Sequence, residues 1–351
     1  MKIRFITSTP LDVVRGSGTF AGIHGLACAL EARGVTVAVA SPKVRLPVFT
    51  FERLWFNEQL RWRRPEGCEV TVGFDMDGYR IAGRWPSPHV ASIKGVIADE
   101  LSFESGWTRR TMAIQAACER VHVRRADLAL TTSQYAAGRL QELYGLSKTP
   151  RIVPELIDLA SWRKLFARNP AEPDPRKFTV LSVCRFYPRK RLPVLLGAAA
   201  RLRWQIPGLE VRIVGGGPEA GKLLRIWREL RLEDTVRWLG DVSQAELARE
   251  YNRADVFCLP SVQEGFGIVF LEAMAAGKPI VAARAGAVPE VAPQGVLVEP
   301  DNEEALAEAV HRLYLDPELR RSLAESGRRV VAQFDAPLVA RSFLKEIESV
   351  R

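Results

Sequence analysis

Short runs of apolar and β-branched residues recur along the chain, each followed by a longer amphipathic segment. That alternation predicts strand-helix-strand units around a parallel sheet, an α/β architecture. The first unit reads as a strand over Ile3–Thr7, a loop through Gly16-Ser17-Gly18, a helix from about Phe20 to Arg33, and a strand over Val35–Ala40 after the breaker Gly34. Further strands are predicted at Glu69–Gly73, His89–Ile93 and Leu128–Thr132.

The periodicity lapses between Arg151 and Lys177, where Asn169-Pro170-Ala171-Glu172-Pro173-Asp174-Pro175 is proline-rich and polar, as an exposed linker is. A second α/β series follows, with strands at Phe178–Cys184, Glu210–Val214, Thr235–Leu239, Val256–Leu259, Pro279–Ala283 and Gly295–Glu299. Asp301 is placed to cap the next helix, with Glu304 three positions on as in a capping box. The expected organisation is an N-terminal Rossmann-like domain over 1–160, a linker over 161–177 and a C-terminal Rossmann-like domain over 178–335. The closing helix, 336–351, is expected to pack back on the first domain.

Composition narrows the class. With 351 residues, 47% of them hydrophobic, the chain can bury a sizeable core, and its length favours about two domains. No stretch approaches the roughly 20 apolar residues of a membrane-spanning helix. Met1-Lys2-Ile3-Arg4 runs directly into the first strand without the apolar core of a secretion signal, so the expected location is cytoplasmic. Cys28, Cys68, Cys118, Cys184 and Cys258 form no C-x-x-C pair, which predicts buried, reduced thiols. His24, His89, His122 and His311 are equally scattered, and no metal site is drawn from them. The formal charge of +9 suits nucleotide phosphates, an anionic lipid surface or nucleic acid. Without zinc-finger spacing or an RNA-binding aromatic signature, nucleic acid ranks last.

The most informative stretch runs from Pro260 to Pro279. It follows a predicted strand and opens a helix that Gly277 and Pro279 end, so its first amides point outward from the carboxyl end of the sheet. The N–H groups of Phe266, Gly267 and Ile268, with the positive end of the helix dipole, can hold a diphosphate. Glu264 lies in the loop before the helix and Glu272 about two turns inside it. Carboxylates accept hydrogen bonds from vicinal hydroxyls, so one can serve a sugar and the other a ribose. Glu272 sits within Val269-Phe270-Leu271 and Ala273-Met274-Ala275-Ala276, where an uncompensated charge is costly, and a partner is implied.

On these residues the sequence resembles the retaining glycosyltransferases of family 4, strongly from about Thr179 to Glu299 and more weakly over the N-terminal half. The resemblance implies the GT-B architecture, two Rossmann-like domains facing each other across a deep cleft, and a nucleotide-sugar donor. It implies that Glu264 contacts the transferred sugar and Glu272 the nucleotide ribose. A family arginine and lysine five residues apart correspond to Arg185 and Lys190; two fixed cations there would stabilise charge on the leaving diphosphate. Gly216, in the loop after Ile213-Val214, corresponds to the nucleotide-side loop, and Asp241 and Val242 to the base-binding edge. Gly18 corresponds to one glycine of a loop whose amides touch the diphosphate. Lys94 stands where many members carry a histidine near the reacting sugar, a departure that removes a histidine-based account. Retention in the family is explained by front-face attack, with the leaving phosphate taking the acceptor proton. Lys94 is then either a donor toward diphosphate or acceptor, or structural.

Asp75 and Asp77 either present carboxylates on the acceptor side or belong to an Asp-Gly turn. Although D-x-D suggests a metal, the implied fold takes phosphate stabilisation from amides and cations, and no metal or other cofactor is expected. Between Lys43 and Arg64, Phe49, Phe51, Trp55, Phe56 and Trp62 interleave with Lys43, Arg45, Arg53, Arg61, Arg63 and Arg64. This segment either meets an anionic membrane, making the protein peripheral on its inner face, or sends its aromatics to the core while the bases snorkel outward. Two other functions stay open: a GT-B-fold nucleotide-sugar epimerase, and a nicotinamide-dependent oxidoreductase drawn from the loose glycine motifs at Gly16 and Gly215. The nucleotide, sugar, acceptor and oligomeric state cannot be read from the sequence.

Overall fold

A computed structural model describes residues 1–10, 13–44, 46–62 and 67–351 and, for residues 13–17, the backbone alone. The chain divides into two compact units, one of Met1–Leu156 with Ala336–Arg351 and one of Ile157–Asp335.

The first unit carries a parallel sheet of β1 (Lys2–Ile6), β2 (Thr36–Ala40), β3 (Val70–Phe74), β4 (His89–Ile93), β5 (Leu128–Thr131) and β6 (Arg151–Ile152) in the order β2-β1-β3-β4-β5-β6. Its helices are α1 (Val13–Glu31), α2 (Phe49–Leu60), α3 (Ile97–Glu100), α4 (Gly106–Arg125) and α5 (Gln134–Tyr144). β3 and β4 are buried along their whole length, as strands covered on both faces must be, and both are unbroken by charge.

The second unit starts with α6 (Leu159–Arg168) and continues through β7 (Phe178–Val183), α7 (Leu192–Leu202), β8 (Leu209–Val214), α8 (Ala220–Glu229), β9 (Val236–Gly240), α9 (Gln244–Arg253) and β10 (Val256–Leu259). It ends with α10 (Ile268–Ala275), β11 (Ile280–Ala283), α11 (Val288–Val291), β12 (Val296–Val298), α12 (Glu303–Leu315) and α13 (Pro317–Val331). The sheet order is β12-β11-β10-β7-β8-β9, again all parallel. α14 (Ala336–Glu348) then returns to the first unit, where Val339, Ala340, Phe343 and Ile347 join Ile3, Phe5 and Phe74 in one core.

Three local expectations are corrected. The first half of the expected linker is α6, whose Asp158 cap accepts from Ser161 N–H at 2.8 Å and whose Trp162 and Phe166 rings pack near Tyr251. The cap of α12 is Asn302, accepting from Ala305 N–H at 2.9 Å, while Asp301 takes a left-handed φ of 57° and pairs with Arg191. α1 begins at Val13, so the Gly16-Ser17-Gly18 segment is helical rather than a loop.

Candidate active site

In the second sheet the chain order reverses between β7 and β10: β8 and β9 extend one way from β7, β11 and β12 the other way from β10. At such a point neighbouring connections leave on opposite faces, and a crevice opens outside the carboxyl ends of the two strands. Lys190, after β7, spans it to Glu264, after β10, with Nζ 2.6 Å from Oε1. The side chains are only 12% and 7% exposed, so the charges are poorly screened.

The backbone fixes this contact from both sides. Val262 N–H donates to the Arg189 carbonyl at 2.9 Å, and Ala287 N–H donates to the Glu264 carbonyl at 3.0 Å. Gly267, at φ 93°, caps α10; a Cβ there would overlap the Phe270 ring and lie 3.8 Å from Glu264 Cδ. The Glu264 carboxylate therefore stands at the start of α10, beside the positive end of its dipole.

Across the sheet, the ends of β7, β8 and β9 are stitched together. Phe186 N–H donates to the Gly216 carbonyl at 3.0 Å and Gly215 N–H to the Gly240 carbonyl at 2.8 Å. A Cβ on Gly217 would sit 2.6 Å from Phe186 N, whereas one on Gly216 would meet only Asp241 Oδ2, at 3.8 Å. The backbone at Gly216 is thus open to approach. Arg185 Nη1 donates to Asp241 Oδ1 at 3.0 Å, with side chains 30% and 41% exposed, so this pair is accessible to an incoming anion. Val242 lies half-buried between Asp241 and Ser243, the cap of α9. The rest of the basic turn is engaged elsewhere: the Arg189 guanidinium lies over Tyr187, and Arg191 pairs with Asp301 at 2.8 Å.

α10 opens at Ile268, so Glu272 is its fifth residue, one turn inside instead of two. Gly267 and Ile268 carry the amides at the helix start; Phe266 precedes it, its ring buried against Phe334. The partner that the apolar surroundings of Glu272 demand is Tyr251, whose hydroxyl donates to Oε2 at 2.9 Å. Burial pushes the Glu272 carboxyl up to about 7, against the opposing pull of that hydroxyl.

The first-unit candidates divide. Lys94, after β4, forms a buried ion pair with Glu155, Nζ to Oε1 3.0 Å. Asp75 takes a left-handed φ of 53° and accepts from the Lys94 N–H at 2.8 Å; burial raises its carboxyl to about 6. Asp77 is not an acceptor-facing carboxylate. It is fully buried and accepts from Ser8 N–H and Oγ, Asn57 Nδ2 and Arg53 Nη2, which ties β1, α2 and the turn after β3 together. Gly18 lies within α1, so the paired-glycine loop is absent in that form, and with it the loop that the nicotinamide reading needs at its first motif.

The basic-aromatic segment follows neither simple alternative. Arg53 and Phe56 point inward, whereas Phe49, Phe51, Trp55 and Trp62 are 43%, 50%, 55% and 80% exposed. Arg45, Arg63 and Arg64 lie outside the described residues. No helix among the described residues is long and apolar enough to cross a membrane.

Several side-chain contacts were not legible. Tyr251 and Glu155 reach their partners from distant elements, and His89 and His122, scattered in sequence, meet in the core with Nε2 atoms 2.8 Å apart. No disulfide joins the five cysteines; Cys184 and Cys258 are buried as expected, while Cys28 is exposed.

A family model described as "Glycosyl transferases group 1" matches residues 164–330. The D-inositol 3-phosphate glycosyltransferase of Pseudarthrobacter chlorophenolicus is 30% identical over 80% of this chain and 70% of its own length. A GDP-mannose-dependent alpha-(1-6)-phosphatidylinositol monomannoside mannosyltransferase of Mycobacterium tuberculosis is 28% identical over 71% of this chain and 68% of its own. Among solved structures, the sucrose-phosphate synthase of Thermosynechococcus elongatus superposes with a TM-score of 0.82 at 22% identity, covering 99% and 98% of the two chains.

Proposed function

We infer the roles at this site from one premise: the chain belongs to the group 1 glycosyl transferases, has the GT-B fold, and moves a sugar from a nucleotide-sugar donor to an acceptor. The donor diphosphate lies at the start of α10, against the Gly267 and Ile268 amides, with Arg185 and Lys190 as its counter-charges. Glu264 orients the transferred sugar and Glu272 the ribose. The Lys190–Glu264 contact across the β7/β10 switch point carries this reading, because it sets a cation for the leaving group beside an acceptor for sugar hydroxyls.

As the bond from the anomeric carbon to the diphosphate breaks, negative charge grows on the phosphate oxygen. Donors already aimed at that oxygen stabilise it without reorganising, the largest usual contribution to such a step. The acceptor oxygen attacks from the same face and passes its proton to the departing phosphate, so configuration is retained and no protein base is needed. Amides and cations supply the stabilisation in this step, and no metal is required.

The first unit takes the acceptor, with Asp75 and Lys94 at the carboxyl ends of β3 and β4. Two curated relatives act on an inositol phosphate and on a phosphatidylinositol mannoside, by their names, which supports a saccharide or lipid-linked acceptor here. The exposed aromatics of α2 and Trp62 support docking on an anionic membrane, which we propose is met from its cytoplasmic face. The relatives are named as transferases, which favours transfer over epimerisation.

The test is Glu264→Ala assayed for donor turnover and for nucleoside diphosphate binding. Turnover falling by orders of magnitude with binding and melting temperature retained supports the assignment; unchanged turnover rejects it.

A further inference from the structure

We propose that Tyr251 is a positioning residue that aims the Glu272 carboxylate at the donor's ribose and so sets how strongly the site distinguishes ribonucleotides from nucleotides lacking the ribose hydroxyls. The proposal rests on the ribose assignment of Glu272 made above.

Glu272 is the acidic residue of α10, set between buried Leu271 and Ala273. In such surroundings a carboxylate keeps a defined rotamer only if something polar holds it. The Tyr251 hydroxyl does so, donating to Oε2 at 2.9 Å from the last turn of α9. The phenol is itself immobilised: it is fully buried, with the Trp162, Phe166 and Phe257 rings at 6.1, 6.4 and 6.1 Å between centroids. With Oε2 engaged, the lone pairs of Oε1 are left for a diol.

A second acceptor makes the contact two-way. The same hydroxyl lies 3.3 Å from the Val269 carbonyl. While Glu272 is ionised, the phenol proton goes to its carboxylate. When Glu272 is protonated, the carboxyl proton can point to the phenol oxygen, and the phenol proton turns to Val269. The phenol thus supports both forms, but only the ionised one presents a charged, and so stronger, acceptor to the ribose. Burial, which pushes this carboxyl up to about 7, puts the exchange within the range of ordinary assay buffers.

The test compares the binding of uridine and guanosine diphosphates, whichever the wild-type protein binds more tightly, with that of the matching 2′,3′-dideoxynucleoside diphosphate. Proteins are wild type, Tyr251→Phe and Glu272→Ala, with melting temperature followed throughout. Phenylalanine keeps the ring packing and removes only the hydroxyl. The expected result is that the wild type prefers the ribonucleotide by about tenfold or more, the worth of one charge-assisted hydrogen bond. Both variants lose most of that preference while binding the dideoxynucleotide as the wild type does. The pH at which ribonucleotide binding weakens should also rise in Tyr251→Phe, because the hydroxyl that favours the carboxylate is gone; a purely packing role would not move it. Full preference retained by Tyr251→Phe, with Glu272→Ala losing it, overturns the positioning role and leaves the ribose assignment standing. Preference retained by Glu272→Ala overturns both.

Discussion

Gly286 lies directly against the backbone of Glu264: a Cβ on it would stand 2.7 Å from the Glu264 nitrogen and 2.8 Å from its oxygen. Its φ of 57° is left-handed, and the next residue, Ala287, donates its N–H to the Glu264 carbonyl. The loop after β11 is thus the wall on which the Glu264 loop rests. Gly286→Ala adds strain and an overlap with backbone that cannot swing aside, so the Glu264 loop must shift. The expected outcome is a melting temperature lowered by several degrees and donor turnover reduced at least tenfold, since small misplacements of orienting groups are costly. Unchanged turnover would show that the position of Glu264 is not held from this side.

The Arg53–Asp77 pair is a structural element of the first unit. Asp77 is fully buried, and Arg53 also donates to Ser8 Oγ at 2.9 Å and Gln115 Oε1 at 2.9 Å. Arg53→Met leaves a buried carboxylate without its counter-charge, which should cost about 3–5 kcal/mol in urea unfolding. Adding Asp77→Asn should recover part of that loss. A single variant as stable as the wild type would contradict the role.

The pH dependence of Glu272 has a definite sign. Its carboxyl is raised from 4.5 to about 7, so the folded protein favours the protonated form. That contribution to stability is complete below pH 4.5 and is lost as the pH rises through about 7. On the proposed ribose role of Glu272, donor binding runs the other way, because the ionised carboxylate is the stronger acceptor for the ribose hydroxyls. Calorimetric affinity for a nucleoside diphosphate should rise between about pH 6 and pH 8, and Glu272→Gln should flatten that rise. An identical rise in the variant would assign it to another group.

The exposed aromatics at Phe49, Phe51, Trp55 and Trp62 predict flotation with anionic liposomes and little with neutral ones. A Trp55→Ser, Trp62→Ser double variant should remain in the soluble fraction with unchanged donor binding. Equal recovery of wild type from both vesicle types would remove the membrane from the account.

How much was legible depended on how local the deciding contacts are. β4 and β10 match their expected bounds, His89–Ile93 and Val256–Leu259, because strands covered on both faces are short continuous apolar runs. α1 was placed too late since Gly16-Ser17-Gly18 read as a loop; packing of Ile23, Leu26 and Leu30 into the core overrides that propensity. Close approach explains two glycines further along the helix, for a Cβ on Gly22 would overlap Glu155 and one on Gly25 would lie 2.9 Å from Leu156. β6 has two residues, too few for a period. At the site, Arg185, Lys190 and Glu264 were visible as motifs, and the need of Glu272 for a partner followed from its neighbours. That the partner is Tyr251, and that Asp77 belongs to Arg53, are facts of tertiary structure, joining residues 21 and 24 positions apart.

Gripping of the diphosphate by Arg185, Lys190 and the first amides of α10 is the central claim, and the difference between nucleoside diphosphate and nucleoside affinities measures it most directly. In Lys190→Ala and Arg185→Ala, the diphosphate should bind about 10–100 times more weakly, the worth of one hydrogen bond to a charged group, while the nucleoside binds as it does to the wild type. Diphosphate affinity unchanged in both variants, with the fold intact, would contradict the account.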